Sequence, residues 1–192
     1  MGWVSVLSKK LHMRSLLGKS ILFLLVLICV GVFLYFHKQP LSSMKISSTS
    51  FADGGIIPMQ YSCDGAGINP PLFFEGVPKE AQSLALIVDD PDAMSVAGKV
   101  WDHWVVYNIA PETASIGEGS VPHAMIGANG SGKPEYQPMC PPNGKHTYHF
   151  KLYALDSMLD LSPSASKLEL EAAMIGHVLD EAELTGTYAT LK

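Results

Sequence analysis

Arginine is nearly absent from this 192-residue chain, since Arg14 is the only one. All 18 acidic residues lie after residue 45, whereas six of the 13 basic residues lie at or before it. The part of the chain that is long enough to fold is therefore strongly acidic. It lacks the basic surface and the arginines with which proteins usually contact nucleic-acid phosphates, so nucleic acid is a poor candidate partner.

Cysteine is also scarce, with three in the chain. Cys29 lies in a long apolar run, whereas Cys63 and Cys140 lie in glycine- and proline-rich segments of the acidic part. Such an even pair favours a disulfide in an oxidising compartment. No serine stands in a Gly-x-Ser-x-Gly elbow, so serine-nucleophile catalysis is the least expected activity.

One uncharged apolar run, Ser20–Phe36, extends over most of the N-terminal part. With residues 16–18 added, it has the length of a membrane-spanning helix. A cleavable signal peptide shares the basic start and apolar middle, but this run ends in bulky residues without a small-x-small site, which favours an uncleaved anchor. Because most basic residues precede the run, we expect the N-terminus in the cytoplasm and the remainder outside, in the periplasm of a Gram-negative cell.

These features predict four parts of the chain. We expect a basic cytoplasmic segment at 1–15, a single transmembrane anchor at 16–36, a linker at 37–43 and a folded domain at 44–192. The lipid bilayer is then one expected partner, through the anchor.

The domain is dominated by patterns typical of β-strands. Ser83–Val88 is a continuous apolar run, Trp101–Ile109 is aromatic and β-branched, and His146–Leu155 alternates with period two. The frequent glycine and proline between these segments indicate an antiparallel all-β domain with long loops. One helix is predicted at Lys167–Leu184, with Ser166 and Glu169 spaced as a capping box, and a short strand at residues 185–191.

Two histidines stand near the beginnings of predicted strands. Side chains two apart in a strand share a face, so His103 points with Trp101, and His146 points with Tyr148. Both histidines could line a pocket where the core face of a sheet opens. From these residues alone, polar residues satisfied at strand ends are the favoured interpretation, and the aspartates at 89–92 indicate only a turn.

The order of several short motifs resembles the phosphatidylethanolamine-binding protein family, also called Raf-kinase-inhibitor-like proteins, in its bacterial branch. The motifs are Asp90-Pro91-Asp92-Ala93, Trp101-x-His103-Trp104-Val105-Val106-x-Asn108-Ile109 and Cys140-Pro141-Pro142-x-Gly144-x-His146-x-Tyr148-x-Phe150, together with Cys63-Asp64-Gly65 and Pro70-Pro71. Each motif is weak alone, but all of them in order over residues 44–192 are highly specific.

The resemblance implies two packed antiparallel sheets with peripheral helices and a small cavity for phosphate-like or carboxylate-like groups. Carried over by position, the ligand-binding residues are Asp90, Trp101, His103, Pro141, Pro142, His146 and Tyr148. The chain departs from the family pattern at its rim, with Met94, Pro138, Met139 and Thr147. Asp90 would repel an anion unless it orients a histidine by accepting a ring proton.

We therefore expect a non-catalytic binding or regulatory domain without a cofactor, with a small anionic ligand or a phospholipid headgroup as its partner. One alternative is a protein inhibitor of an envelope protease or a kinase. Another is a metal-dependent hydrolase that uses His103, His146 and Asp90.

Overall fold

A computed structural model describes residues 44–191, which form two β-sheets. The predicted segments 1–15, 16–36 and 37–43 lie outside the described residues. The strands in chain order are β1 (Lys45–Ser47), β2 (Gly55–Ile56), β3 (Leu72–Glu75), β4 (Ser83–Asp90), β5 (Trp101–Ile109), β6 (Ser115–Ile116), β7 (Met125–Ile126), β8 (Lys145–Leu155) and β9 (Val178–Ala189). Two short α-helices, α1 (Met94–Ala97) and α2 (Lys167–Met174), and two 3-10 turns, Met59–Tyr61 and Pro91–Ala93, complete the described elements.

The strands pair in the orders β1-β3-β6 and β2-β9-β8-β4-β5-β7. All pairs are antiparallel except the edge pair of β2 with β9, which is parallel. The prediction of a mostly β domain with two sheets and few helices is thus confirmed. No helix formed by residues 44–191 has the length and apolarity needed to cross a membrane.

Strand β4 is buried along its whole length because both of its faces are covered. On one face, Leu86 and Val88 join Phe74 of the small sheet in the larger apolar core. On the other face, Ala85 and Ile87 join a second core, to which helix α2 contributes. This double burial explains why the strand reads as an uninterrupted apolar run rather than as an alternating one.

Helix α2 is shorter than predicted. It begins after Ser166 with the expected capping box but ends at Met174, so the prediction of a helix to Leu184 is wrong. Gly176 follows with a φ of 83°, a left-handed conformation that favours glycine and ends the helix. The chain then enters β9, which is longer than the predicted strand at 185–191 because Leu184 and Tyr188 alternate into the larger core.

Asn108 interrupts the regular backbone near the end of β5. Its φ is 56°, in the left-handed region that few residues other than glycine tolerate. Its side chain donates to the carbonyl of Leu159 and accepts from the Leu159 N–H, both at 2.9 Å. The asparagine therefore fixes the loop after β8 to the end of β5.

We predict that Asn108→Ala lowers the free energy of unfolding by about 3 kcal/mol, because it removes two hydrogen bonds and leaves a β-carbon at positive φ. Asn108→Gly should cost about 1 kcal/mol less, because glycine tolerates that φ. Chemical denaturation of both variants measures the difference, with Asn143→Ala in an exposed loop as the control. Equal losses for the alanine and glycine variants would show that the backbone conformation contributes nothing.

Candidate functional site

A cavity of about 260 Å³ opens where β4 ends and β5 and β8 begin. Antiparallel pairing brings these ends together, since Asp90 at the end of β4 pairs with Trp101 at the start of β5. Strand β8 runs along the other side of β4, which places His146 beside Asp90. The cavity is lined by Asp90, Ala93, Val96, Ala97, Trp101, His103, Gln137, Pro138, Cys140, Pro142 and His146.

Of the residues predicted to bind a ligand, Pro141 and Tyr148 lie behind the cavity wall rather than on it. Pro141 is buried, and its carbonyl accepts a hydrogen bond of 3.0 Å from the Thr190 hydroxyl. Tyr148 is fully buried, with its ring edge-on to His103 at a centroid distance of 5.2 Å. The other predicted residues all line the cavity.

Asp90 and His146 form a buried pair on the cavity floor. The Asp90 Oδ2 atom accepts the Nδ1 proton of His146 at 2.7 Å, and its Oδ1 accepts from the Ala93 N–H at 3.2 Å. Both carboxylate oxygens are thus engaged by the protein. Asp90 orients the imidazole and leaves Nε2 as the nitrogen available to a ligand, as a carboxylate behind a functional histidine commonly does.

His103 is oriented by the backbone instead. Its Nδ1 donates to the Gln137 carbonyl at 2.8 Å, because a carbonyl oxygen can only accept. The Gln137 N–H in turn donates to the His103 carbonyl at 2.8 Å, so the loop is held along β5. Burial lowers the pKa of His103, which favours the neutral ring, and in that form Nε2 carries a lone pair.

Tyr148 places a hydroxyl near the two histidines. Within residues 44–191 this buried hydroxyl has no hydrogen-bond partner. Burial raises its pKa, and the negative charge of Asp90 raises it further, so the group keeps its proton. A buried unpaired donor is costly, and such groups in folded proteins call for an explanation in terms of a bound water, ion or ligand.

The indole of Trp101 forms a rigid part of the wall. Gly130 packs against it so closely that an added β-carbon would lie 2.8 Å from the ring. The Lys99 ammonium lies 4.7 Å from the ring centroid and donates to the Gly130 carbonyl at 3.0 Å. These contacts fix the ring plane and add a cation–π interaction at the rim.

Several wall residues were not predicted from the sequence. The side chains of Val96 and Ala97 come from helix α1, and those of Gln137 and Pro138 come from the loop before β8. Of these four residues, only Pro138 carried a signal in the sequence, as a departure from the family pattern.

Asp92 was treated as part of a turn, yet its Oδ2 accepts from the Thr147 N–H at 2.8 Å and ties that turn to β8.

A disulfide joins the cavity wall to a distant loop. Cys140 lines the cavity and is bonded to Cys63, with the two Cα atoms 5.4 Å apart. The Cys63 N–H also donates to the Met139 carbonyl at 3.0 Å. The Cys140-Pro141-Pro142 segment is therefore held by the disulfide and by a backbone hydrogen bond at the residue before it.

The arrangement of acidic and histidine side chains bears on the metal-hydrolase alternative. Among the described residues, no group of three or more His, Cys, Asp or Glu side chains is placed to hold a metal ion. Asp90, one of the three residues of that alternative, uses both oxygens for protein hydrogen bonds.

Comparison with known proteins identifies the fold and its relatives. The family model for phosphatidylethanolamine-binding protein matches residues 47–189. The chain belongs to this family. A UPF0098 protein of Methanothermobacter thermautotrophicus is 51% identical over 151 residues, covering 76% of this chain and 98% of its own.

Solved structures of family members have the same architecture. A phosphatidylethanolamine-binding protein homologue from Chlamydia trachomatis, CT736, is 44% identical with a TM-score of 0.75, over 79% of this chain and 100% of that chain. Escherichia coli YbcL, described as a new member of the mammalian family, is 26% identical with a TM-score of 0.71, over 78% of this chain and 100% of its own. In both relatives the shared domain makes up the whole matched chain.

We predict that a fragment of residues 44–192, purified from an oxidising compartment, contains no free thiol. Cys63 and Cys140 are its only cysteines and are bonded in the structure. Thiol counting under denaturing, non-reducing conditions measures this, and the reduced fragment should give two thiols as the control. Two free thiols without reductant would contradict the disulfide.

Proposed function

We propose that this domain binds a small anionic ligand, bearing a phosphate or a carboxylate, in the cavity formed by β4, β5 and β8. The observation that carries the proposal is the set of polar groups on its floor that the protein leaves without partners. These are the Nε2 atoms of His103 and His146. Behind the same wall, the buried hydroxyl of Tyr148 also has no partner within residues 44–191. A cavity of about 260 Å³ suits a headgroup rather than a whole lipid.

We infer that this binding is not accompanied by catalysis. An Asp–His pair can act as a general base, but covalent catalysis needs a nucleophile beside it. The lining contains no serine, threonine or lysine side chain, and its one cysteine, Cys140, is bonded to Cys63. These observations favour a binding or regulatory domain over a hydrolase.

We predict that phosphate binding to the 44–192 fragment depends on both histidines and strengthens from pH 7.5 to pH 5.5. An imidazole that gains a proton as the pH falls adds a donor and a positive charge where the anion binds. Burial lowers the pKa of His103 and so opposes that gain at this residue. A charge-assisted hydrogen bond is worth about 1.5–3 kcal/mol, so His146→Ala should weaken binding about ten-fold or more at pH 5.5. His103→Ala should weaken it at both pH values.

Isothermal titration with inorganic phosphate and with O-phosphorylethanolamine measures these affinities. His149→Ala is the matched control, because this residue lies on β8 and pairs with Glu183 away from the cavity. If both histidine variants stay folded and bind as the wild type does at both pH values, the cavity is not the binding site.

We also propose that the domain is held outside the cytoplasm by an uncleaved anchor at residues 16–36. The apolar run and its basic flank support this. The match to a UPF0098 protein of Archaeoglobus fulgidus, 35% identical over 93% of this chain, extends into the residues before Met44.

An alkaline phosphatase fused after Lys192 should therefore be active in a bacterial host, because that enzyme folds only where its disulfides form. The mature protein should retain residues 1–38, as N-terminal sequencing or intact mass would show. A reporter that is active only in the cytoplasm, fused at the same position, serves as the matched control and should be inactive. Activity of that cytoplasmic reporter would contradict the proposed topology.

A further inference from the structure

The Cys63–Cys140 disulfide lies at the protein surface, although one of its halves lines the cavity. Both cysteines are exposed, and the bond joins two loops whose cysteines are 77 residues apart in the chain. Cys140 lies on the cavity wall together with Pro138 and Pro142. A disulfide that a dissolved thiol can reach is open to thiol–disulfide exchange, because the rate of that exchange depends on access to the sulfur atoms.

We propose that this disulfide is a reversible redox site, which dithiols reduce in the folded protein, and that its reduction releases the cavity wall at residues 140–144. The inference goes beyond the proposed function, because it concerns the state of the wall whatever the cavity binds. It makes the shape of the cavity dependent on the redox state of Cys63 and Cys140.

The loop on the Cys63 side of the bond is fixed to the rest of the domain. The Asp64 carboxylate accepts a hydrogen bond of 2.6 Å from the Tyr188 hydroxyl, which ties this loop to β9. Gly65 packs so closely on the backbone of Met59 that an added β-carbon would collide with the Met59 carbonyl. We therefore expect this loop to keep its position when the disulfide opens.

The segment on the Cys140 side depends more strongly on the bond. Met139, the residue before it, is fully buried in the larger core, so the wall is fixed up to that point. Pro141 and Pro142 follow and have no N–H group, so neither can donate a backbone hydrogen bond. Residues 142–145 are exposed. The disulfide is therefore a main restraint on the wall after Met139.

Other contacts keep the two loops together after reduction. Ser62 and Met139 form a β-bridge, and the Cys63 N–H donates to the Met139 carbonyl at 3.0 Å. The Thr190 hydroxyl donates to the Pro141 carbonyl at 3.0 Å. None of these contacts involves a sulfur atom. Reduction should therefore loosen the wall after Met139 without unfolding the sheets.

The chemical step is a two-electron reduction by thiol–disulfide exchange. One thiolate of the dithiol attacks a protein sulfur and the S–S bond breaks, which releases the other cysteine as a thiolate that takes up a proton. The second thiol of the reductant then attacks the mixed disulfide. The products are two protein thiols and the disulfide of the reductant, so two electrons and two protons have passed to the protein.

The rate of reduction by dithiothreitol tests access to the bond. The full-length chain carries Cys29→Ser, so that Cys63 and Cys140 are its only cysteines, and is kept in a mild detergent. We expect the native protein to be reduced within about a hundred-fold of the rate in denaturant, because an exposed disulfide needs no unfolding. Reduction that required global unfolding would be slowed by roughly the folding equilibrium constant, about a thousand-fold or more. A native rate more than about a hundred-fold slower overturns the inference.

Hydrogen exchange followed by mass spectrometry tests the release of the wall. After reduction, peptides that cover residues 140–146 should exchange at least about five-fold faster, whereas peptides from β4 should be unchanged. Cys63→Ala should show the fast exchange without reductant and no response to dithiothreitol. Ala66→Ser, at an exposed position of the same loop, keeps both cysteines and should respond as the parent chain does. Unchanged exchange of the wall after complete reduction overturns the inference.

Titration with inorganic phosphate separates this inference from the proposed function. Where phosphate binds, the oxidised form should bind it at least about five-fold more tightly, because a loosened wall must be ordered when the ligand binds. Equal affinities of the two forms would overturn the dependence of the cavity on the disulfide. If phosphate binds neither form, the proposed function fails, and the exchange measurement alone decides this inference.

Discussion

The burial of two adjacent carboxylates at the end of β4 constrains the whole domain. Asp89 and Asp90 are almost completely buried, and because they alternate along a strand they face opposite sides of the sheet. A buried charge is tolerated only when it is paired and hydrogen-bonded. Asp89 is bound by Lys151 and by Lys167, the first residue of helix α2, so its charge fixes the helix to one side of the sheet.

On the opposite side, Asp90 is bound by His146 and by the Ala93 N–H. The same strand end therefore places the helix that closes the second core and the histidine that lines the cavity. The two sides of the sheet are therefore linked through Asp89 and Asp90, neighbouring residues whose side chains point in opposite directions. A substitution at either one disturbs the packing of the strand end that both share.

The central strands could be predicted because their burial requires apolar runs, and such runs are visible in the local sequence. Alternation also predicted which face His103 and His146 occupy, although only the family resemblance indicated a binding role. The helix was extended too far because Met174 and Val178 are four residues apart, as on one helix face, whereas the left-handed conformation of Gly176 ends the helix between them. Gln137 could not be predicted as a wall residue, because a long-range backbone contact with His103 places it.

The use of histidine rather than arginine has a consequence for occupancy. An arginine would hold an anion at any physiological pH, whereas imidazoles change their charge and polarity within that range. Under the proposed function, the site suits a ligand that exchanges readily rather than one held permanently, in agreement with a small cavity whose walls are mostly apolar.

The Trp101 indole in the cavity wall can report on the filling of the cavity through its intrinsic fluorescence. Within residues 44–191 there are two tryptophans, and Trp104 is buried in the core against Tyr136. Its emission is shielded from solvent whether or not the cavity is filled. Trp101 is partly exposed and lines the cavity, so displacement of water by a ligand changes the surroundings of one fluorophore only. Occupancy can be read from intrinsic fluorescence, with the second tryptophan as an internal reference and no label attached to the protein.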